Sequence, residues 1–144
     1  MNTLAIEHGA RPPWEQDFAL VAHGEIAAVT PSLNDLLGLH FAELTRLKRD
    51  WRMRALLAFD RYEIPPAEEG EVRGLRIVSM RRRLLDGDNL VGGAKLLIDG
   101  MKAARFIFDD SPAVLQLNVV QYRAQSKKDE RTIVGIYFGK AGGK

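Results

Sequence analysis

Two hydrophobic periods alternate along this chain, and their order restricts it to a small set of folds. Phe18 to Val29 is apolar with Gly24 inside it, consistent with one strand or a bent pair of short strands, and Thr30-Pro31-Ser32 follows as a turn and cap signal. From Leu36 to about Arg61 the period changes. Leu37, Phe41, Leu44, Leu47, Trp51, Ala55 and Leu56 recur at three- and four-residue intervals, which predicts an amphipathic helix that Ile64-Pro65-Pro66 ends. Phe41, Leu44 and Trp51 on its apolar side are expected in the core, the usual destination of such a face, with a subunit interface as the alternative. Val72 to Arg82 carries the alternation and the β-branched residues of a strand. Leu90 to about Arg105 returns to the helical period, with Leu90, Ala94, Leu97, Ile98 and Met101 on one side. Two further strands, about Val114 to Tyr122 and Thr132 to Phe138, flank the polar turn Ala124 to Glu130. The order strand, helix, strand, helix, strand, strand predicts an α+β domain, a mixed β-sheet with two main helices packed on it.

The 144 residues fit one domain of the usual size, about 100–200 residues, and 46% hydrophobic content can fill a core without crosslinks. The domain is expected over residues 18–138, between a loosely held leader, 1–17, and a flexible tail, 139–144. The absence of cysteine excludes disulfides, thiolate metal sites and cysteine nucleophiles, and fits a reducing compartment. No segment approaches the roughly 18 uninterrupted apolar residues of a membrane helix. The N-terminus lacks the basic start and apolar run of a secretory signal, so no membrane partner and a cytoplasmic location are expected. The net charge of +2 hides an asymmetry: before Asp35 the only basic residue is Arg11, so the rest of the chain is more basic than the total indicates.

Chemistry concentrates in two acidic turns. Asp86 and Asp88 lie between a predicted strand and a predicted helix, and Asp109 and Asp110 lie before the next strand. If the flanking strands are parallel, or the helix returns the chain to the same end, both turns are expected at one edge of the sheet. Clustered carboxylates repel unless a hard cation neutralises them, which makes a Mg²⁺ site the functional reading. Lys95 lies about two turns after Asp88 and shares its helix face, with Asp99 one turn further. The pattern suits metal-assisted phosphodiester hydrolysis. Each part also has a plainer explanation: Asp-Gly-Asp-Asn is a common solvated turn and N-cap, Lys95 and Asp99 a common surface pair, and a basic helix face a common solvated one. His8, His23 and His40 lack ligand spacing, and Val91-Gly92-Gly93-Ala94 lacks the form of a phosphate loop.

Taken in order, these features resemble the RusA-type Holliday junction resolvases. Thr30-Pro31-Ser32-Leu33-Asn34 resembles the family's turn before its first long helix, which here continues through Lys48 and Trp51. Asp86-Gly87-Asp88-Asn89-Leu90, Lys95 followed by Asp99, and Asp109-Asp110-Ser111 resemble the family signature in the same order. The resemblance implies a homodimeric α+β endodeoxyribonuclease that cuts four-way DNA junctions in recombination and repair. It implies that Asp86, Asp88 and Asp110 hold Mg²⁺, or Mn²⁺ in its place, and that Lys95 aids catalysis. Asn34, Asn89, Asp99 and Asp109 would support that site. Arg81, Arg82 and Arg83 have family precedent, and with Arg46, Lys48, Arg49, Lys127 and Lys128 they are the candidates for contact with DNA phosphates. The best-known members place three fewer residues before the lysine, so on a regular helix Lys95 sits about 4.5 Å further along the axis, unless Leu90 to Gly93 is irregular. The competing class is a RusA-like module that binds branched DNA without cutting it.

Overall fold

The computed structural model describes residues 11–140, within which the fold is α+β: a four-stranded mixed sheet with three helices. The strands are β1 (Phe18–Ile26), β2 (Arg73–Arg81), β3 (Leu115–Arg123) and β4 (Arg131–Gly139), and the helices are α1 (Leu33–Leu37), α2 (Phe41–Ala58) and α3 (Gly87–Ala103). Residues 1–10 of the expected leader and 141–144 of the expected tail lie outside the described residues.

The sheet order is β1-β4-β2-β3, with β4 antiparallel to both β1 and β2, and β3 parallel to β2. Helices α2 and α3 pack on one face of it. Ala22 and Ile26 of β1, Leu75 and Ile77 of β2, and Val134 and Ile136 of β4 meet Trp51, Ala55, Ala94, Leu97 and Met101 in the main core. A smaller cluster around Val78 and Ile133 lies apart from it, with Leu20, Met80, Val120 and Tyr122 alongside. Where α2 ends over the sheet, Gly24 lets strand and helix touch: a Cβ there would sit 2.6 Å from the Ala58 carbonyl oxygen.

Four expectations change. The single helix expected from Leu36 is two, because Ser32 caps the short α1, accepting from the Asp35 N–H at 3.0 Å, and Gly38 ends it before α2 begins at Phe41. The first turns of α2 are largely exposed. Phe41 is 84% exposed, not part of the core, whereas Trp51 is buried as expected. Within the expected leader, Pro13–Asp17 form a 3-10 turn, and Trp14 packs edge-on against Phe18 and Tyr137. Finally, Arg81, a candidate for contact with DNA phosphates, is buried, as are Arg73 and Arg76 of the same strand. Arg73 bonds Glu71 and the carbonyls of Pro65 and Phe106 and lies over the Phe138 ring, while Arg76 approaches Glu15 at 3.8 Å.

Candidate functional site at the head of the third helix

The segment that carries β2 into α3 is fastened by side chains of β3 and of Glu130, just before β4. Glu130 accepts from the Arg82 N–H at 2.9 Å, and Arg123 donates to the Arg82 carbonyl at 2.8 Å. The Gln121 carboxamide takes both backbone groups of Leu85, accepting from its N–H at 3.0 Å and donating to its carbonyl at 2.6 Å. Arg81 donates to Ser79 Oγ and to the Thr30 carbonyl, at 2.8 and 2.7 Å, so it ties the strand end to the turn before α1. Burial pulls its guanidinium below the ordinary value, with the Glu130 charge acting the other way. Arg81 is therefore a buried structural tie, whereas its neighbours Arg82 and Arg83 are exposed.

So positioned, Asp86 is the N-cap of α3. Its carboxylate accepts from the Asn89 N–H at 3.0 Å, and the Asn89 carboxamide donates to both Asp86 oxygens at 3.2 Å. The Asn89 side-chain oxygen in turn accepts from the Asn34 N–H at 2.9 Å, joining two pieces of sequence 55 positions apart. Asp88 stands exposed in the first turn, where the helix dipole favours an anion. Gly92 and Gly93 of α3 face Leu33 and Pro31 closely, so this glycine pair is the seat of the turn before α1.

The parallel pairing of β2 and β3 sets the end of β2 and the start of β3 at opposite ends of the pair. The Arg81–Arg123 and Arg73–Leu115 ends of that pair are about 26 Å apart along the strands, a span that α3 and the segment after it cover. Parallel strands alone therefore do not bring the turns to one edge, but the chain turns back after α3 and returns Asp110 to Lys95, midway along that helix. A reversal at Arg105, whose φ is 67°, sends the chain back along α3. Asp109 there meets Lys102 at 2.9 Å, and Lys95 bonds both Asp110 and, at 3.2 Å, Asp99. Because α3 is helical from Gly87, Leu90 to Gly93 is regular and Lys95 lies about 10.5 Å along the axis from Asp88.

These pairs set the electrostatics. The Asp110 hydrogen bond, helped by Asp99, holds the Lys95 ammonium above its ordinary pKa against partial desolvation, and Asp109 does the same for Lys102. Lys102 and the Asp110 N–H hold the Asp109 carboxyl below the usual range. Any stabilisation from the lysines is thus kept until pH rises through their raised values, and that from Asp109 is lost only as pH falls through its lowered one. Among the described residues, no group of three or more His, Asp or Glu side chains is placed to hold a metal ion. As arranged, Asp86, Asp88 and Asp110 do not make one cation site: Asp86 serves its cap, Asp88 stands free of it, and Asp110 is taken by Lys95.

The basic candidates sort by position. Arg82 and Arg83, with Lys127 and Lys128 of the 3-10 turn Lys127–Asp129, share the sheet end that carries Asp86 and Asp88, since β4 starts beside the end of β2. Arg46, Lys48 and Arg49 are exposed on α2. Sequence reasoning missed Gln121, Glu130, Arg123 and Lys102. Only Lys102 had a signal, standing three residues after Asp99 on the Lys95 face. No protein-family model and no curated protein matches the chain. No helix among the described residues is long and apolar enough to cross a membrane.

Gln121→Leu removes both bonds to Leu85 and leaves two backbone groups unpaired, a loss of about 1–3 kcal/mol. The Leu85 amide, measured by hydrogen exchange, is expected to exchange at least about tenfold faster. Unchanged exchange would show that the segment is held without the clamp.

Proposed function

We propose that the chain is a RusA-type endonuclease that acts on four-way DNA junctions as a homodimer and requires Mg²⁺ or Mn²⁺. The observation that carries this reading is the Asn34–Asn89 bond. It joins two parts of the family-like signature that lie 55 positions apart in sequence, the turn before the first helix and the Asp-Gly-Asp-Asn run. Around that unit stand an exposed carboxylate, Asp88, and the cations Arg82, Arg83, Lys127 and Lys128, a mixture suited to a nuclease surface that must hold a polyanion beside an acidic group.

The test is incubation of a synthetic four-way junction with the protein and either cation. Paired nicks near the branch point, with an uncut linear duplex as control, are the expected product. Binding without nicks across a wide range of Mg²⁺ and Mn²⁺ concentrations would overturn the enzyme reading. A specific observation favours the alternative, a branched-DNA-binding module without turnover: Lys95 is two turns from Asp88 and engaged with Asp110 and Asp99. In that case affinity falls steeply with salt and no cation yields product.

A further inference from the structure

We propose that the corner between α1 and α2 is a stacking wedge for the bases at a DNA branch point, with Phe41 at its tip and a basic stripe of α2 as its hold on the phosphates. The proposal rests on the branched-DNA substrate of the preceding reading and adds the residues that tell a branch from a duplex. Among the described residues, Phe41 and Leu37 are the most exposed large apolar side chains, at 84% and 75%. They stand on either side of the short turn that joins the two helices. The first turn of α2 is closed beneath Phe41: the Glu43 carboxylate accepts from the His40 N–H at 3.2 Å, and the Thr45 hydroxyl donates to the Phe41 carbonyl at 2.9 Å. A ring fixed in solvent on a closed helix turn is a stacking surface already in place.

Charge selects the occupant. On a regular helix Phe41, Thr45, Lys48, Arg49 and Arg52 fall within a sector of about 100°, and all five are exposed. The two anions of α2, Glu43 and Asp50, lie on the opposite side, about 160–180° from Phe41. An aromatic ring at the head of an anion-free row of three cations suits a base whose phosphates run on along the helix. An apolar protein partner would instead leave Lys48, Arg49 and Arg52 without counter-charge. Position agrees, because α1 is fastened to the head of α3 by the Asn34–Asn89 bond and by Leu33 against Gly92. The chain between Asn34 and Phe41, part helix and part turn, reaches at most about 20 Å. One turn of duplex is about 34 Å, so DNA whose branch lies at Asp88 also reaches Phe41. Selectivity follows from cost: a wedge must unstack the bases it enters, and bases at a branch are already less firmly stacked than those within a duplex.

The test uses the full chain, a four-way junction carrying 2-aminopurine beside the branch, and a linear duplex of the same sequence, in EDTA so that no strand is cut. Binding is expected to change the 2-aminopurine fluorescence of the junction. Phe41→Ala is expected to abolish that change and to weaken junction binding at least about fivefold, with duplex binding unaltered, whereas Phe41→Trp keeps both. Lys48→Gln and Arg52→Gln are expected to weaken binding of both DNAs and each to lower the salt slope by about one. Phe41 is exposed, so its variants are expected to melt with the wild type; should Phe41→Ala fail to fold, the wild-type fluorescence and Phe41→Trp decide. Junction binding with unchanged fluorescence overturns the proposal, as does a folded Phe41→Ala variant that binds the junction as tightly as the wild type. So does a change in the sedimenting mass of the DNA-free protein on that substitution, which makes Phe41 a protein contact. A fluorescence change without nicks under Mg²⁺ or Mn²⁺ overturns the endonuclease reading alone. Normal nicking without the fluorescence change overturns the wedge alone, and a chain that binds no junction overturns both.

Discussion

Asp88→Asn is expected to lower junction cleavage by at least about a hundredfold while binding stays the same or tightens. The side chain is chosen because little else depends on it. The Asp86 cap, the Asn89 bridge and the Asn34 bond are made without Asp88, so the head of α3 keeps its shape in the variant. The structural cost is the loss of one anion from a helix N-terminus, about 0.3–1 kcal/mol, which shifts the melting temperature by only a few degrees. Removing a negative charge from a surface that also holds Arg82, Arg83, Lys127 and Lys128 lowers repulsion of phosphate, hence the direction expected for binding. Single-turnover cleavage and an equilibrium shift assay on the same junction separate the two effects. A variant that cuts at the wild-type rate removes Asp88 from the reaction. One that loses binding and cleavage together makes it part of the DNA-contacting surface instead.

What was legible in the chain was its local periodicity, and what was not was direction and burial. The four strands and the two long helices follow from hydrophobic spacing, which is a property of neighbouring residues. Whether β3 runs with β2 or against it is a property of the whole sheet, and the place of Asp110 is set by the reversal that precedes β3. Its partner was hidden too, because the chain reverses at Arg105, a non-glycine residue in a left-handed conformation that no turn signal announces. Nothing in the alternation of β2 marks its arginines as buried. They are buried because β2 is a central strand with neighbours on both sides, and each finds oxygen acceptors, as for Arg73 and Arg81, or a carboxylate, as for Arg76. Gln121 gave no signal at all, since a glutamine alternating with apolar residues is what a half-exposed strand ordinarily shows. By contrast Asn34 and Asn89, both singled out from the sequence, meet.

The largest stability effect is expected at Gly93. Glycine inside a helix normally weakens it, and exchange for alanine would ordinarily stabilise α3 by about 1 kcal/mol. Here a Cβ would stand 1.8 Å from the Pro31 carbonyl oxygen and 2.9 Å from its carbon. The obstacle is backbone and cannot rotate aside, so the turn before α1 must move bodily off α3. Overpacking of this kind costs about 1–3 kcal/mol, and the shift also strains the Asn34–Asn89 bond and the Arg81 tie to Thr30, so a net loss near the top of that range is expected, roughly 10 °C in melting temperature. Gly87→Ala is the matched control, because nothing lies within 4 Å of a Cβ at that first helical position. It is expected to be neutral or slightly stabilising. If Gly93→Ala melts with Gly87→Ala, the turn before α1 yields without cost, and the Asn34–Asn89 bond is then not what fixes the head of α3.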